Sequence, residues 1–244
     1  MGVDSGLPDF RGPEGFWRAY PPLARRGLRF EEMANPRWFD REPHLAWAFY
    51  GHRLRLYRQT RPHAGFQILR QLAGDRPLFV FTSNVDGAFQ AAGFDDAQIY
   101  EIHGSIHILQ RTDGRGRTWS ADGVEVDVDM DRFVARDPLP TCPVTGQLAR
   151  PNILMFNDWR WRAERSEAQA ERYAAWLDRF DPEDIVIIEI GAGTAVPSVR
   201  NECSRRHLRG AGLIRINPRE PDAPRSAVSL PLGALDALTR IAAR

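Results

Sequence analysis

Apolar and polar positions alternate in blocks along the second half of the chain. The runs NILMF, DIVIIEIG and GLIRIN are short and apolar and predict buried strands, and residues 226–230 predict one more. Residues 163–180 and 197–209 and the closing run LGALDALTRIAA separate or follow these strands and predict helices. Apolar strands that alternate with amphipathic helices are typical of an α/β fold with a parallel sheet covered on both faces.

The first half shows the same alternation. Residues 44–60 carry apolar side chains at helical spacing, and a second helix is predicted from Pro62 to Gly74. The run PLFVFTS then predicts a buried strand, and residues 99–103 predict a shorter one. Both halves therefore belong to one sheet-and-helix architecture.

Residues 105–149 interrupt this pattern. A hairpin is predicted around Gly114 and Gly116, and the stretch VEVDVDMDRFVARD alternates apolar and acidic residues, which favours a course along the surface. We therefore predict a main domain formed by 1–104 and 150–244 with 105–149 as a small inserted subdomain. Any helical part of the small subdomain is expected within 13–60.

Composition narrows the possible functions. The 244 residues include 33 basic and 32 acidic side chains, so bulk charge favours neither nucleic acid nor a membrane surface as a partner. Every basic residue is arginine, which excludes Schiff-base or other lysine chemistry. No apolar run approaches the roughly 20 residues of a membrane span, and no signal peptide opens the chain.

Cys142 and Cys203 are the two cysteines, and they are far apart in the sequence. They cannot form a disulfide framework or a zinc site of three or four cysteines. We therefore predict no metal site and a location in the reducing cytoplasm.

Small or polar residues follow four of the predicted strands. They are Ser83, Asn84 and Asp86 after the first strand, His103 after the second, Gly191, Ala192 and Gly193 after the third, and Asn217 after the fourth. Ligands in parallel α/β folds bind at the carboxyl ends of the strands, so these residues are candidates for one site. Each also has an ordinary structural alternative: a helix-capping turn, a hydrogen-bonded core histidine, a tight turn and a turn before proline, respectively.

The opening stretch DSGLPDFRG interrupts both helix and strand patterns with glycine and proline. It carries Asp4, Asp9, Phe10 and Arg11, so it predicts either a ligand-binding loop or an ordinary surface turn.

Six motifs occur in an order that resembles the sirtuin family. In this chain they are DSGLPDFRG, TSNVDGAF, EIHG, RPNILMFND, IGAGTAVP and RIN. The corresponding family patterns are SGIPDFR, TQNIDxLH, LHG, RPxxVxFGE, GTSxxVxP and IN. The resemblance covers about residues 4–218 and implies a Rossmann-like domain with a smaller domain inserted.

The resemblance implies an NAD-dependent protein deacylase, which is a transferase. In that family the oxygen of an acyl-lysine attacks C1′ of the nicotinamide ribose, nicotinamide departs, and the acyl group is passed to ADP-ribose. The resemblance implies that the general base is His103 and that Asn84 and Asp86 act beside the nicotinamide ribose. The same comparison assigns Asp9, Phe10 and Arg11 to a loop over NAD, Ser83, Gly191, Ala192 and Gly193 to cofactor contacts, and Asn217 to the adenine ribose.

The chain departs from the family pattern in ways that bear on activity. The zinc cysteines are reduced to Cys142, Ser83 stands where the family has glutamine, and Phe89 where it has histidine. The FGE motif is Phe156-Asn157-Asp158 here, and the GTS motif is Gly191-Ala192-Gly193.

The family's GAGxS motif would begin upstream of residue 1. Met1 and Gly2 align with its last two positions, so we expect an upstream start that adds a strand and a glycine turn.

Two other functions stay open from the sequence. One is a sirtuin-fold NAD glycohydrolase or ADP-ribosyltransferase, favoured by Ser83 and by the missing zinc cysteines. The other is a non-catalytic nucleotide-binding or interaction module, favoured because the family's first strand does not precede the motif that opens this sequence.

Overall fold

The computed structural model describes residues 1–8 and 13–243. Within those ranges the helices are α1 (Pro13–Ala19), α2 (Pro21–Arg25), α3 (Phe30–Met33), α4 (Arg37–Arg41), α5 (Pro43–Gln59), α6 (Gly65–Ala73), α7 (Ala88–Ala91), α8 (Glu164–Leu177), α9 (Ser198–His207) and α10 (Ala234–Ala242). The strands are β1 (Val80–Thr82), β2 (Ile99–Glu101), β3 (Gly104–Arg111), β4 (Trp119–Ser120), β5 (Val128–Asp129), β6 (Val134–Ala135), β7 (Ala149–Ile153), β8 (Val186–Ile190), β9 (Gly212–Ile216) and β10 (Val228–Leu230).

Parallel strands form two groups. Strands β1 and β2 pair in parallel, with Phe81 opposite Tyr100. Strands β8, β9 and β10 pair in parallel in that spatial order, with Ile188 opposite Ile214. In the part of the chain that the structure describes, β1 therefore pairs with β2 alone and β8 with β9 alone. The α/β prediction with parallel strands is confirmed.

Helices cover both faces of the β8–β9–β10 group. Ile188, Ile214 and Ile216 occupy alternate positions and pack with apolar residues of α6 and α10. On the other face Glu189 and Arg215 point toward α9, where Arg215 Nη2 donates to Ser204 Oγ at 3.3 Å. Their carboxylate and guanidinium form a buried bidentate pair at 2.6 and 2.9 Å, so neither charge is left unpaired in the interior.

Strands β4, β3 and β7 form an antiparallel sheet in that spatial order, and β7 lies almost wholly outside the predicted insert 105–149. The predicted hairpin around Gly114 and Gly116 is confirmed, because β3 and β4 pair on either side of it. The prediction that the stretch after it follows the surface is wrong for its middle. There β5 and β6 form a hairpin that packs on α5, and Phe133 between them is only 1% exposed because its ring contacts Tyr20.

Two further details differ from the sequence predictions. The run NILMF overlaps β7, but β7 pairs antiparallel with β3 instead of joining the parallel strands. Short apolar runs do not reveal the direction of their neighbours, which tertiary pairing decides. Helix α6 begins at Gly65, after Pro62, because the His63 ring accepts a hydrogen bond from Gly65 N–H at 2.9 Å and so caps the first turn.

Aromatic side chains hold the amino-terminal helices together. Phe16, Tyr20 and Phe49 are almost fully buried and meet at ring-centroid distances of 5.2 to 6.1 Å. Tilted and edge-to-face contacts at such distances add to the stabilisation from apolar burial. Among the described residues, no helix combines the length and the apolar character needed to cross a lipid bilayer.

Candidate functional site

The ends of β1 and β2 bring three of the predicted site residues to neighbouring positions. The Thr82 hydroxyl accepts a hydrogen bond from Asn84 N–H at 3.0 Å and shapes the turn that leads to Asp86. The Thr82 carbonyl accepts from Ile102 N–H at 3.0 Å. His103, the next residue, therefore lies directly beside that turn. These two strand ends are adjacent because β1 pairs with β2.

Asp86 has both a structural and an electrostatic role. Its Oδ1 accepts a hydrogen bond from Ala88 N–H at 3.0 Å, which is the capping turn that the sequence left open. Burial raises the pKa of Asp86 above its ordinary value of 3.8, while the Ala88 N–H and the Arg53 guanidinium act in the opposite direction. Carboxyls whose pKa burial raises are characteristic of functional sites.

His107 is a residue that the sequence analysis missed. Its Nε2 donates to the Asp86 carbonyl at 2.9 Å, and this bond ties the turn to β3. Gly87 has a φ of +70°, and a Cβ there would lie 2.7 Å from His107 Cδ2, so the turn requires glycine. A histidine inside an apolar strand carries no sequence signal that separates it from an ordinary core residue.

A cavity of about 510 Å³ adjoins this turn. Its lining includes Asp86, Ser105, His107 and Tyr57. Behind Tyr57, the buried Arg53 donates from Nε to the Tyr57 hydroxyl at 3.0 Å. The volume is in the range of small-molecule sites. The wall also carries the charged side chains of Arg58, Asp96 and Arg165, and among the described lining residues Asp86 is the one predicted site residue.

The ends of β8 and β9 bring together the second group of predicted residues. Gly191 adopts a φ of +65° and donates from its N–H to the Ile216 carbonyl at 2.9 Å. Asn217 is 5% exposed, and its Nδ2 donates to the Ala192 carbonyl at 3.1 Å. Its Oδ1 accepts from the N–H groups of Arg219 and Glu220, both at 3.0 Å. Asn217 therefore fixes the shape of the loop around Ala192.

Glu220 and Arg200 lie beside the residues at the ends of β8 and β9. The sequence analysis did not identify either of them as a candidate. Glu220 accepts from Thr194 N–H at 3.0 Å and from its hydroxyl at 2.5 Å, and these bonds lower the pKa of Glu220. Arg200, in the first turn of α9, donates to the Ala192 carbonyl at 3.4 Å and to the Glu220 carbonyl at 2.8 Å. The turn at residues 191–193 thus lies between the carboxylate of Glu220 and the guanidinium of Arg200.

The first residues of the chain contact both groups. Met1 packs in the apolar cluster that contains Ile188 and Ile190, and a Cβ on Gly2 would lie 3.9 Å from Asp86 Oδ2. Asp4 accepts from Leu235 N–H at 3.0 Å, which anchors this segment to α10. Asp9, Phe10 and Arg11, which were assigned to a loop over the cofactor, lie outside the described residues.

The strand β7 and the turn that follows it form another wall. Leu154 N–H donates to the His103 carbonyl at 2.9 Å, which places the end of this strand beside the candidate base. Arg150 and Asp158 form a fully buried ion pair at 2.7 and 2.9 Å. Asn157 adopts a φ of +58°, a left-handed conformation that asparagine tolerates better than most residues. The first and last residues of the motif RPNILMFND, Arg150 and Asp158, are thus in direct contact.

The other predicted residues occupy unremarkable positions. Ser83 is partly buried between Thr82 and Asn84, and a Cβ on Gly193 would lie 3.1 Å from the Glu220 carboxylate. Cys142 and Cys203 are free thiols. Within residues 1–8 and 13–243, no three His, Cys, Asp or Glu side chains are grouped closely enough to hold a metal ion.

Known proteins resemble this chain in sequence and in fold. The sequence model of the Sir2 family matches residues 1–177. The NAD-dependent protein deacylase of Thermococcus kodakarensis is 30% identical over 218 residues, which are 89% of this chain and 76% of that protein. A crystal structure of a Sir2 homologue in complex with NAD is 26% identical and superposes with a TM-score of 0.74 over 99% of this chain and 84% of that one. A Sir2 homologue in complex with 2′-O-acetyl ADP ribose gives the same identity and TM-score over 99% of this chain and 86% of that one.

Proposed function

The chain belongs to the Sir2 family, and on that premise we propose that it is an NAD-dependent protein deacylase. Its substrate is then an acyl-lysine in a peptide or protein. NAD supplies the ADP-ribose that accepts the acyl group, and nicotinamide is released.

The residues around the two groups of strand ends fit a dinucleotide. At β8 and β9, the space beside Gly191 is open, since a Cβ there would meet nothing within 4 Å. Arg200 places positive charge near this turn for phosphates, and it also lies 3.8 Å from the Glu220 carboxylate, which Thr194 orients. Asn217 acts by holding the turn in this shape, because its amide already makes three hydrogen bonds within the loop.

The reacting end of NAD is proposed to lie at β1 and β2. Asn84 and Asp86 face the nicotinamide ribose, and the partly buried Asp86 orients it. His103 is the general base that takes a proton from a ribose hydroxyl, since an imidazole accepts protons near neutral pH. The acyl-lysine enters along the end of β7, which contacts His103 through Leu154 N–H.

One observation carries this proposal. Asn84, Asp86 and His103 occupy the ends of two adjacent parallel strands in a chain that belongs to the Sir2 family. An ordinary turn or core histidine would not require these three side chain types at the same edge of a sheet.

Nicotinamide release from NAD, measured with and without an acetyl-lysine peptide, tests the proposed function. We expect release that depends on the peptide. His103→Ala should lower the rate by about 100-fold or more, since a general base contributes on that order. His207→Ala is the matched control, because His207 lies at the end of α9 and bonds to Ala211 and Ser226 away from the site.

Two other results would contradict the proposal. Release of nicotinamide without peptide would identify a glycohydrolase, and NAD binding without release would identify a non-catalytic module. Full activity of His103→Ala would show that the base is another residue.

We also infer a cytoplasmic location. The support is the pair of free cysteines, Cys142 and Cys203, which suits a reducing compartment.

A further inference from the structure

Trp159 exposes 96% of its side chain to solvent. An indole has a large apolar surface, and such surfaces are usually covered unless they serve in recognition. Leu154 and Phe156, a few positions earlier, are 37% and 38% exposed. Leu154, Phe156 and Trp159 form what we call the apolar strip.

The first residue of the apolar strip is bonded through its backbone to the candidate base. Leu154 N–H donates to the His103 carbonyl at 2.9 Å, and Phe156 N–H donates to the Ala34 carbonyl at 2.9 Å. A substrate whose acyl-lysine reaches His103 therefore has its neighbouring residues close to the continuation of this strip.

The backbone on both sides of Trp159 is fixed. Asp158 is buried in its pair with Arg150, and its Oδ1 also accepts from Arg160 N–H at 3.2 Å. The Arg160 guanidinium in turn pairs with Asp40. Because the turn is already ordered, little conformational entropy remains to be lost when a partner packs against the indole.

The same contacts determine which partner fits. The charges on either side of Trp159, those of Asp158 and Arg160, are each paired within the protein. The turn thus offers a ligand the apolar surface of the indole beside the partly exposed pair of Arg160 and Asp40. Trp161, two residues on, points inward instead, with its Nε1 3.3 Å from the Cβ position of Gly104.

We propose that Trp159 is a specificity-determining residue that packs against an apolar or aromatic side chain next to the acyl-lysine of the substrate. This inference rests on the proposed deacylase function and adds a preference among peptide sequences. Large aromatic residues are common among the few positions that dominate the energetics of protein interfaces.

Steady-state kinetics on matched substrates test this preference. One substrate is a single acetyl-lysine with blocked ends, and the others are acetyl-lysine peptides with Phe or Ala at each flanking position in turn. For wild type, Phe at one flanking position should lower KM. Trp159→Ala should raise KM for that peptide about tenfold with kcat unchanged, and should not affect the single acetyl-lysine.

Two further variants make the result specific. Trp159→Phe should keep most of the preference, because it retains an aromatic surface. Leu208→Ala removes another side chain that is 84% exposed, at the end of α9, and should leave all the substrates unaffected. Equal losses by Trp159→Ala on every substrate, or no loss on any, would overturn the proposal.

The two proposals fail in different ways. If wild type releases no nicotinamide with any acetyl-lysine substrate, the deacylase function is wrong. Trp159 is then judged by calorimetric binding of the Phe peptide to wild type and to Trp159→Ala. Binding about tenfold weaker in the variant would still support an aromatic docking residue, and equal binding or no binding would refute it.

Discussion

At the scale of one residue, Asp86 both stabilises a turn and belongs to the candidate site. Its carboxylate caps the turn before α7 through Ala88 N–H and also lies in a partly buried position beside the candidate cavity. Burial disfavours the charged form and raises its pKa. The folded state therefore binds this proton more tightly than the unfolded state does.

This raised pKa predicts that Asp86 costs stability at neutral pH. Wild type should lose stability from this group as the pH rises from the ordinary value of 3.8 through the raised pKa. Asp86→Asn keeps an oxygen that can accept from Ala88 N–H and removes the charge. At pH values above the raised pKa, the variant should therefore unfold at a higher urea concentration than wild type. It should also lose roughly 100-fold in NAD turnover, as expected when a preorganised polar group is removed from a reacting centre.

Urea titrations of both proteins at several pH values from 3.5 to 8 would measure this difference, which should grow with pH and then level off. Asp75→Asn, at an exposed position, is the control and should follow the wild-type curve. Lower stability of Asp86→Asn at every pH would contradict the burial argument.

At the scale of elements, the junction between β2 and β3 positions His103. Gly104 follows it with a φ of +76°, and a Cβ there would lie 2.1 Å from the Asn152 carbonyl on β7. The close approach of two backbones thus joins the end of β2 to β7.

Gly104→Ala should therefore destabilise the protein by about 3 kcal/mol or more, from the left-handed conformation together with the clash. Gly123→Ala is the matched variant, since its φ is +72° but nothing lies within 4 Å of its Cβ position. It should cost only about 1–2 kcal/mol. Unfolding free energies from urea titration compare the two, and equal costs would mean that β7 moves away without penalty.

At the scale of the whole molecule, packing joins the inserted segment to the amino-terminal helices. Phe133 is 1% exposed and contacts the Tyr20 ring at a centroid distance of 5.4 Å. The buried hydrophobic cluster that includes both residues also contains Phe49 and Ala135. A continuous apolar core of this kind stabilises the packing of this segment against the helices.

We therefore predict that a chelator leaves the melting temperature unchanged. Phe133→Ala should cost about 3–5 kcal/mol, because the cavity that it leaves cannot collapse in such a core. Thermal melts with and without EDTA check the first expectation, with a zinc-bearing protein as the positive control. A lower melting temperature in EDTA would show that a metal stabilises the fold.

Several features could be predicted from the sequence because they depend on local order along the chain. Helix α5 and the hairpin around Gly114 follow from periodicity and turn chemistry. Asn84, Asp86 and His103 were identified because polar residues directly after apolar strands are conspicuous in a sequence. The motif order indicated the family, which the comparisons confirmed.

Other features were not accessible, because they depend on contacts between distant segments. Nothing in the local sequence indicates that Glu220 accepts a hydrogen bond from Thr194. Nor does it indicate that Arg200 donates to the Glu220 carbonyl. The direction of β7 was also missed, since an apolar run packs equally well in either direction until its neighbour is known.

The sequence by itself thus determined the fold class, the family and the strand ends that carry the candidate chemistry, because these follow from residue order and periodicity. The tertiary structure decided that β7 pairs antiparallel with β3, that Asn217 holds a loop, and that Trp159 remains exposed in the turn after β7. Each of these depends on which distant groups approach within hydrogen-bonding or packing distance, and the pattern along the chain does not contain that information.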